Sequence, residues 1–374
     1  AAVPLLAQNP NLVRNINAST DESVQIMSGR DILNGVVYFN GDDGGGKKFW
    51  RTDGTAAGTY LVKDIPVQPF FHALNGGIYF IGNDPVDGQD PWISDGTTAG
   101  TTQLNAYSLR KSQIKTVRDF SSMGSNVYFV YAIYDTRRSI FTDELWQTDG
   151  TTNGTSSIYT MEWIEYLING GTKIYLFGAD GYYSQGAGEE PWVSDGTASG
   201  TNLIMDICPI NGTGSNHCDV DYVPSTVNQN IYSYVAYPAV VNGLWYFSKS
   251  DGVNGMELWG SDGTANGTSR LTDINPGSAS SCPYFMVEMD GALYFTADDG
   301  TNGMELWKYP LPSGPATLVK DIAMGSAGSE PIWLTPMNGN LYFSAWTSDG
   351  GRELWKSNGT ASGTVQVADI ASGS

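Results

Sequence analysis

Six tryptophans of the chain are preceded, two residues earlier, by an acid: Asp90, Glu144, Glu190, Glu257, Glu305 and Glu353. A carboxylate at one fixed place in a recurring segment either accepts the same structural hydrogen bond each time or shares a cation with the turn before it. The run Asp298-Asp-Gly-Thr-Asn-Gly-Met-Glu305 sets out the second option. Oxygen ligands spaced by glycine suit Ca²⁺ better than a transition metal. Asp298, Asp299 and Glu305, with Asp251 and Glu257 one repeat earlier, are therefore the candidate metal ligands, although their spacing is not that of an EF-hand. Paired carboxylates could also hydrolyse a glycosidic bond, but the acids are too plentiful for the sequence to select a pair. The two histidines, His72 and His217, stand too far apart for a His-rich metal centre. No nucleophile elbow and no phosphate-cradling glycine loop occurs, so no nucleotide or redox cofactor is expected.

Ligand contacts are expected where the repeat is interrupted. One interruption is Tyr134-Asp-Thr-Arg-Arg-Ser-Ile-Phe-Thr142, which carries Tyr134, Arg137 and Arg138. A second is the long connection from Cys208 to Tyr234, which holds Tyr222 and Tyr232. Loops of this length are commonly functional. His72 on a first strand, and Trp333 and Trp346 outside the repeated tryptophan position, complete the candidate ligand set. Arg30, Arg110 and Arg118 are further candidates for an electrophilic role, though scattered along the chain.

The elements that position these residues follow from self-similarity. Marker tryptophans recur at Trp50, Trp92, Trp146, Trp192, Trp259, Trp307 and Trp355, each inside a segment such as Glu257-Leu-Trp-Gly-Ser-Asp-Gly-Thr264. A period of about fifty residues belongs to propellers or solenoids. The unit from Cys282 to Ile322 reads PYFMVEM, ALYFTAD, MELWKYP and ATLVKDI, with turns at Asp290-Gly291 and Asp299–Gly303. Asp-Gly between β-rich runs is a hairpin signal. The reading is all-β: a seven-bladed β-propeller of four-stranded antiparallel blades in one domain, 1–374, with 1–10 as an extension. A solenoid would have shorter rungs. Asn11–Ile16 resembles a fourth strand and is expected to close the last blade together with the C-terminal strand Val365–Ile370. The tryptophans are expected to pack between blades, and the Asp of each Asp-Gly-Thr to brace its turn.

Composition narrows the partners. The chain has 374 residues, 46 Gly and 17 Pro, and a net charge of −20. Such a surface repels phosphate backbones and disfavours nucleic acid. No apolar run reaches the ~18 residues of a membrane span. AAVPLLAQNP lacks a basic region and resembles a mature N-terminus, and the protein is expected outside the cell or on its surface. Cys208 and Cys218 enclose a short loop and could form a disulfide there, leaving Cys282 free or competing for Cys218. Asn17 and Asn211 are the better glycosylation acceptors among five sequons.

Glu257-Leu-Trp-Gly-Ser-Asp-Gly-Thr264 and Leu318-Val-Lys-Asp-Ile322 resemble the ELWxxDGT repeat of secreted and surface proteins, mostly bacterial. The resemblance covers nearly the whole chain and implies no single activity. The regular repeat and the missing catalytic constellation lead to an expected function: a secreted or surface module for binding or adhesion to a glycan or protein, stabilised by Ca²⁺. The alternatives are an extracellular carbohydrate-active hydrolase or lyase using carboxylates at the channel mouth, and a structural subunit of an extracellular assembly.

Overall fold

The computed structural model describes residues 16, 30–84, 88–104, 112–180, 189–208 and 238–368. Within them every regular element is a strand, and the strands follow one another as antiparallel meanders. Asn34-Gly35, Asn75-Gly76, Asn242-Gly243, Asp290-Gly291 and Asn338-Gly339 each hold two successive positive φ values. That is the type I′ hairpin turn, whose twist matches its flanking strands.

The first meander is β1 (Arg30–Leu33), β2 (Val36–Asp42), β3 (Lys47–Thr52) and the start of β4 (Tyr60–Leu74). The second uses the end of β4 with β5 (Gly77–Asp84), β6 (Gly88–Ser94) and β7 (Thr102–Gln103). These two share β4 and form one seven-stranded sheet. Their connection, Ile65-Pro-Val-Gln-Pro69, contains no glycine, and each proline biases the residue before it toward extended backbone. The third meander is β8 (Gln113–Met123), β9 (Asn126–Asp135), β10 (Ile140–Thr148) and β11 (Ser156–Met161). The fourth is β12 (Trp163–Asn169), β13 (Ile174–Ala179), β14 (Glu190–Ser194) and β15 (Asn202–Leu203). The fifth is β16 (Ala239–Val241), β17 (Leu244–Ser250), β18 (Met256–Ser261) and β19 (Ser269–Arg270). The sixth is β20 (Tyr284–Met289), β21 (Ala292–Asp298), β22 (Met304–Pro310) and β23 (Thr317–Lys320). The last is β24 (Ile332–Met337), β25 (Asn340–Thr347), β26 (Gly351–Ser357) and β27 (Val365–Ala368). Its fourth strand is its own; residues 11–15, expected to close it, lie outside the described residues.

The chain divides into two compact units, residues 1–167 with 196–198, and residues 168–195 with 199–374. In both, the marker tryptophans are buried, and two in each unit cluster with residues of the preceding sheet. Trp92 shares a cluster with Tyr38 and Phe49, and Trp146 one with Ile81. In the second unit Trp307 lies with Tyr246 and Leu258, and Trp355 with Tyr294 and Leu306.

The Asp-Gly-Thr turn is a box of side-chain hydrogen bonds. Asp262 Oδ1 accepts from the backbone N–H and the hydroxyl of Thr264, at 2.8 and 2.7 Å. These bonds, the hydroxyl's foremost, hold its carboxyl below the ordinary range. Ser261 and Thr268 hydroxyls lie 2.7 Å apart and close the box. The same pattern recurs around Asp53, Asp95, Asp149 and Asn358. It also explains the second glycine of the motif: a Cβ on Gly267 would stand 2.2 Å from the Asp262 carboxyl. Gly267→Ala should therefore cost about 1–3 kcal/mol, read as a lowered chemical-denaturation midpoint. An unchanged midpoint would show that the box is not held tightly.

Candidate functional site

The repeated acids are anchors of the connection between successive sheets. Glu257 is fully buried and accepts from the Thr272 hydroxyl (2.9 Å) and from the backbone N–H groups of Ile274 (3.0 Å) and Asn275 (3.2 Å). Glu305 accepts from Ala323 N–H, Ser329 N–H and the Ser329 hydroxyl at 3.0, 2.9 and 2.6 Å. Burial pushes its carboxyl up to about 7 despite these donors. Glu190 accepts from Ile207 and Cys208 N–H and pairs with the buried Lys249 at 3.6 Å. Asp90 receives Lys115 Nζ at 2.5 Å, the Tyr131 hydroxyl at 2.9 Å and Gln103 at 2.8 Å. The acids expected as Ca²⁺ ligands thus direct their oxygens at the chain itself. Asp251 and Asp299 likewise brace their own turns through the N–H groups of Asn254 and Asn302, and Asp298 accepts from Gly300 N–H. Among the described residues, no three His, Cys, Asp or Glu side chains are gathered so as to hold a metal ion.

The third meander departs from this scheme. Its buried acid is Asp143, one residue earlier than the repeat predicts, while Glu144 turns back to accept from Trp146 Nε1 at 2.9 Å. Asp143 accepts from Ile164 N–H at 2.7 Å and pairs with the guanidinium of Arg118. Arg118 lies over the Trp163 ring, 4.1 Å from its centroid. Burial raises the Asp143 carboxyl, and Arg118 opposes that shift most strongly.

Beside Arg118, Asp119 occupies a bulge in β8, where the register breaks between Arg118 and Phe120. Its φ is +56°, a left-handed conformation that Asp tolerates better than most residues. Its Oδ2 accepts from Leu167 N–H at 2.5 Å. Desolvation pushes the carboxyl up to about 6 against that bond and the nearby Arg118 charge. The position recurs. Phe70, Asp119, Tyr166, Phe285 and Trp333 each stand five residues before the positive-φ residue of their hairpin turn, at Asn75, Gly124, Gly171, Asp290 and Asn338. Tyr166, Phe285 and Trp333 are also left-handed, at +51°, +55° and +60°. Bulky residues held so cost about 1–3 kcal/mol each and concentrate at functional places. Asp119 is the acid in a series of aromatics.

Of the other expected ligand residues, Tyr134, Arg137 and Arg138 belong to the same meander as this group. Tyr134 stacks on Phe141 at 4.4 Å, and Arg137 and Arg138 are exposed at the tip of the β9–β10 hairpin. His72 lies in β4 with its Nε2 unbonded among the described residues, and burial lowers its pKa. In the second unit Trp333 packs near Phe285 with ring centroids 6.0 Å apart, and Trp346 stands opposite Arg352, which pairs with Glu330 at 2.9 Å. Tyr222, Tyr232, Cys218, Asn17 and Asn211 lie outside the described residues. Cys282 is a buried thiol outside any disulfide, whose pKa burial pushes up to about 12. No helix among the described residues is long and apolar enough to cross a membrane.

No family model and no curated protein matches the chain. Solved structures do. A puromycin hydrolase matches at a TM-score of 0.51 with 11% identity, covering 91% of this chain and 54% of its own. The chain thus spans about half the length of that enzyme. Oligogalacturonate lyase from Vibrio parahaemolyticus matches at 0.48 with 9% identity and 83% coverage of both chains. The β-propeller domain of the trilobed protease from Pyrococcus furiosus matches at 0.46 with 11% identity, covering 92% of this chain and 98% of its own. At such identity a likeness concerns the fold. The expectation of a binding or adhesion module is corrected: its ground was that a regular repeat weighs against catalysis, and the similar fold at a TM-score of 0.51 belongs to a hydrolase.

The anchors predict an unequal response at equivalent repeat positions. Glu257→Ala orphans two backbone amides and a hydroxyl, and should cost about 3 kcal/mol or more. Glu144→Ala should cost about 1 kcal/mol or less. Urea unfolding of both variants checks this, and equal losses would contradict the anchoring role.

Proposed function

We propose that the chain is a secreted polysaccharide hydrolase or lyase that uses carboxylates, built on a seven-bladed β-propeller of four-stranded antiparallel blades. The observation that supports the reading is Asp119: a desolvated carboxyl with a pKa of about 6, anchored by Leu167 N–H beside the Arg118–Asp143 pair. A general acid works best when its pKa lies near the working pH. In the hydrolytic form, the glycosidic C–O bond breaks and the leaving oxygen takes the Asp119 proton. A water gives its hydroxyl to the anomeric carbon and its proton to a second carboxylate, for which Asp143 is the candidate. Arg118 holds Asp143 toward the ionised form that this role requires. Trp163, already under Arg118, offers a ring face for a sugar.

The 54% coverage of puromycin hydrolase favours a second reading, in which the chain is the all-β part of a longer hydrolase whose reacting groups lie elsewhere. One experiment separates the two. Polygalacturonate, alginate and soluble cellulose oligomers are incubated with the chain, and new reducing ends and unsaturated products are measured. Asp119→Asn should lower the rate at least about 100-fold. The wild-type rate should fall as pH rises above about 6, because the donor form of Asp119 is then lost. A rate unaffected by Asp119→Asn would refute its role and leave the second reading.

A further inference from the structure

The third meander is longer than its neighbours. β8, β9 and β10 continue past the level at which the other hairpins turn, with Gln113 opposite Asp135 and Ile140 opposite Asp135 on the other side. One rung inward, Ile114, Tyr134 and Phe141 lie side by side across the three strands. Side chains alternate along a strand, so Thr116 and Arg118 on β8 and Asp143 on β10 share their face. The Arg118–Asp143 pair and the apolar row therefore belong to one surface of one sheet. Phe141 is two residues from Asp143, about 7 Å along the strand.

The row is open to solvent. Phe141 is 61% exposed and Ile114 58%, although an apolar side chain gains about 1.5–3 kcal/mol by burial. Beyond the row, Arg137 and Arg138 sit exposed at the tip. The nearby acid, Asp135, accepts from their backbone N–H groups and feels the Arg138 charge, but forms no salt bridge with either guanidinium. Two adjacent arginines without a salt bridge among the described residues are unusual on a chain of net charge −20. The tip begins about 10 Å beyond Asp143, which is more than the ~8 Å Debye length at physiological salt. The acidic body is therefore largely screened from a ligand held there.

We infer that the β8–β10 extension is a substrate arm for an acidic, uronate-bearing polysaccharide. The Tyr134–Phe141 pair stacks a sugar ring, Arg137 and Arg138 take the sugar carboxylates, and the chain leads along the same face to Arg118 and Asp119. The inference rests on the polysaccharide reading above and names its substrate class. Aromatic rings stack against apolar faces and arginine pairs with carboxylates, so each half of the arm matches one half of a uronate residue.

Binding is measured by calorimetry on the Asp119→Asn chain, so that the probe is not consumed. Pentagalacturonate should bind at least about tenfold tighter than cellopentaose. Phe141→Ala, a change at an exposed position, should weaken pentagalacturonate binding about tenfold. Arg137→Gln with Arg138→Gln should remove the preference between the two probes. Equal binding of both probes, binding of neither, or binding indifferent to Phe141→Ala would overturn the arm. Cleavage of polygalacturonate that ignores the arm substitutions would overturn the arm and leave Asp119 standing. Binding with no cleavage by the unsubstituted chain would support the arm and refute Asp119.

Discussion

A buried carboxylate shortly before six of the seven marker tryptophans is the interaction on which the rest of the structure depends. An ionised or strongly polarised acid inside a sheet protein is costly unless its oxygens are satisfied. Here they are satisfied by the segment that leads to the next sheet: Ile274 and Asn275 for Glu257, Ala323 and Ser329 for Glu305, Ile207 and Cys208 for Glu190. Those segments have little regular structure of their own, so their N–H groups need acceptors as much as the acid needs donors. The bond settles both needs at once and fixes where the next meander starts. Where the acceptor meets a lysine instead, as at Asp90–Lys115, the pair is buried and supported by Tyr131 and Gln103.

With the connections anchored, the first strand of a meander is free to vary. In the third, sixth and last meanders it bulges at the same distance from its turn and displays one residue in a left-handed conformation. In the second unit that residue is Phe285 or Trp333; in the third meander it is Asp119. The anchoring acid of the same meander has moved to Asp143 and drawn in Arg118. Two departures from the repeat thus fall side by side in one sheet, along with the lengthened hairpin. Three departures from the repeat gathered in one meander mark the place where the molecule does something other than hold itself together.

Much of the scaffold was legible because it rests on local rules. Asp290-Gly291 announced a type I′ turn, and the strands of the sixth meander begin within a residue or two of where PYFMVEM, ALYFTAD, MELWKYP and ATLVKDI place them. The joining of two meanders through β4 was not read, because Pro66 and Pro69 suggest a break when they in fact keep the backbone extended. The chemistry was harder. Glu144 and Glu257 look equivalent, yet a one-residue shift of the buried acid depends on Arg118, twenty-five residues away along the chain. Asp119 carried a usable signal, its offset of five residues from Gly124, but the offset gains meaning only once Phe285 and Trp333 are seen to share it. The sequence did not disclose that acids near the glycine-rich turns accept from backbone amides.

The most direct test of the anchoring account is amide hydrogen exchange in the connecting segments, resolved to Ile207, Ile274, Asn275, Ala323 and Ser329. These amides lie outside the strands, and as ordinary exposed turns they would exchange quickly. Because they donate to buried carboxylates, the account predicts protection comparable with the central strand residues Phe247 and Phe295. Exchange at the rate of free turn residues, with the strands still protected, would contradict it.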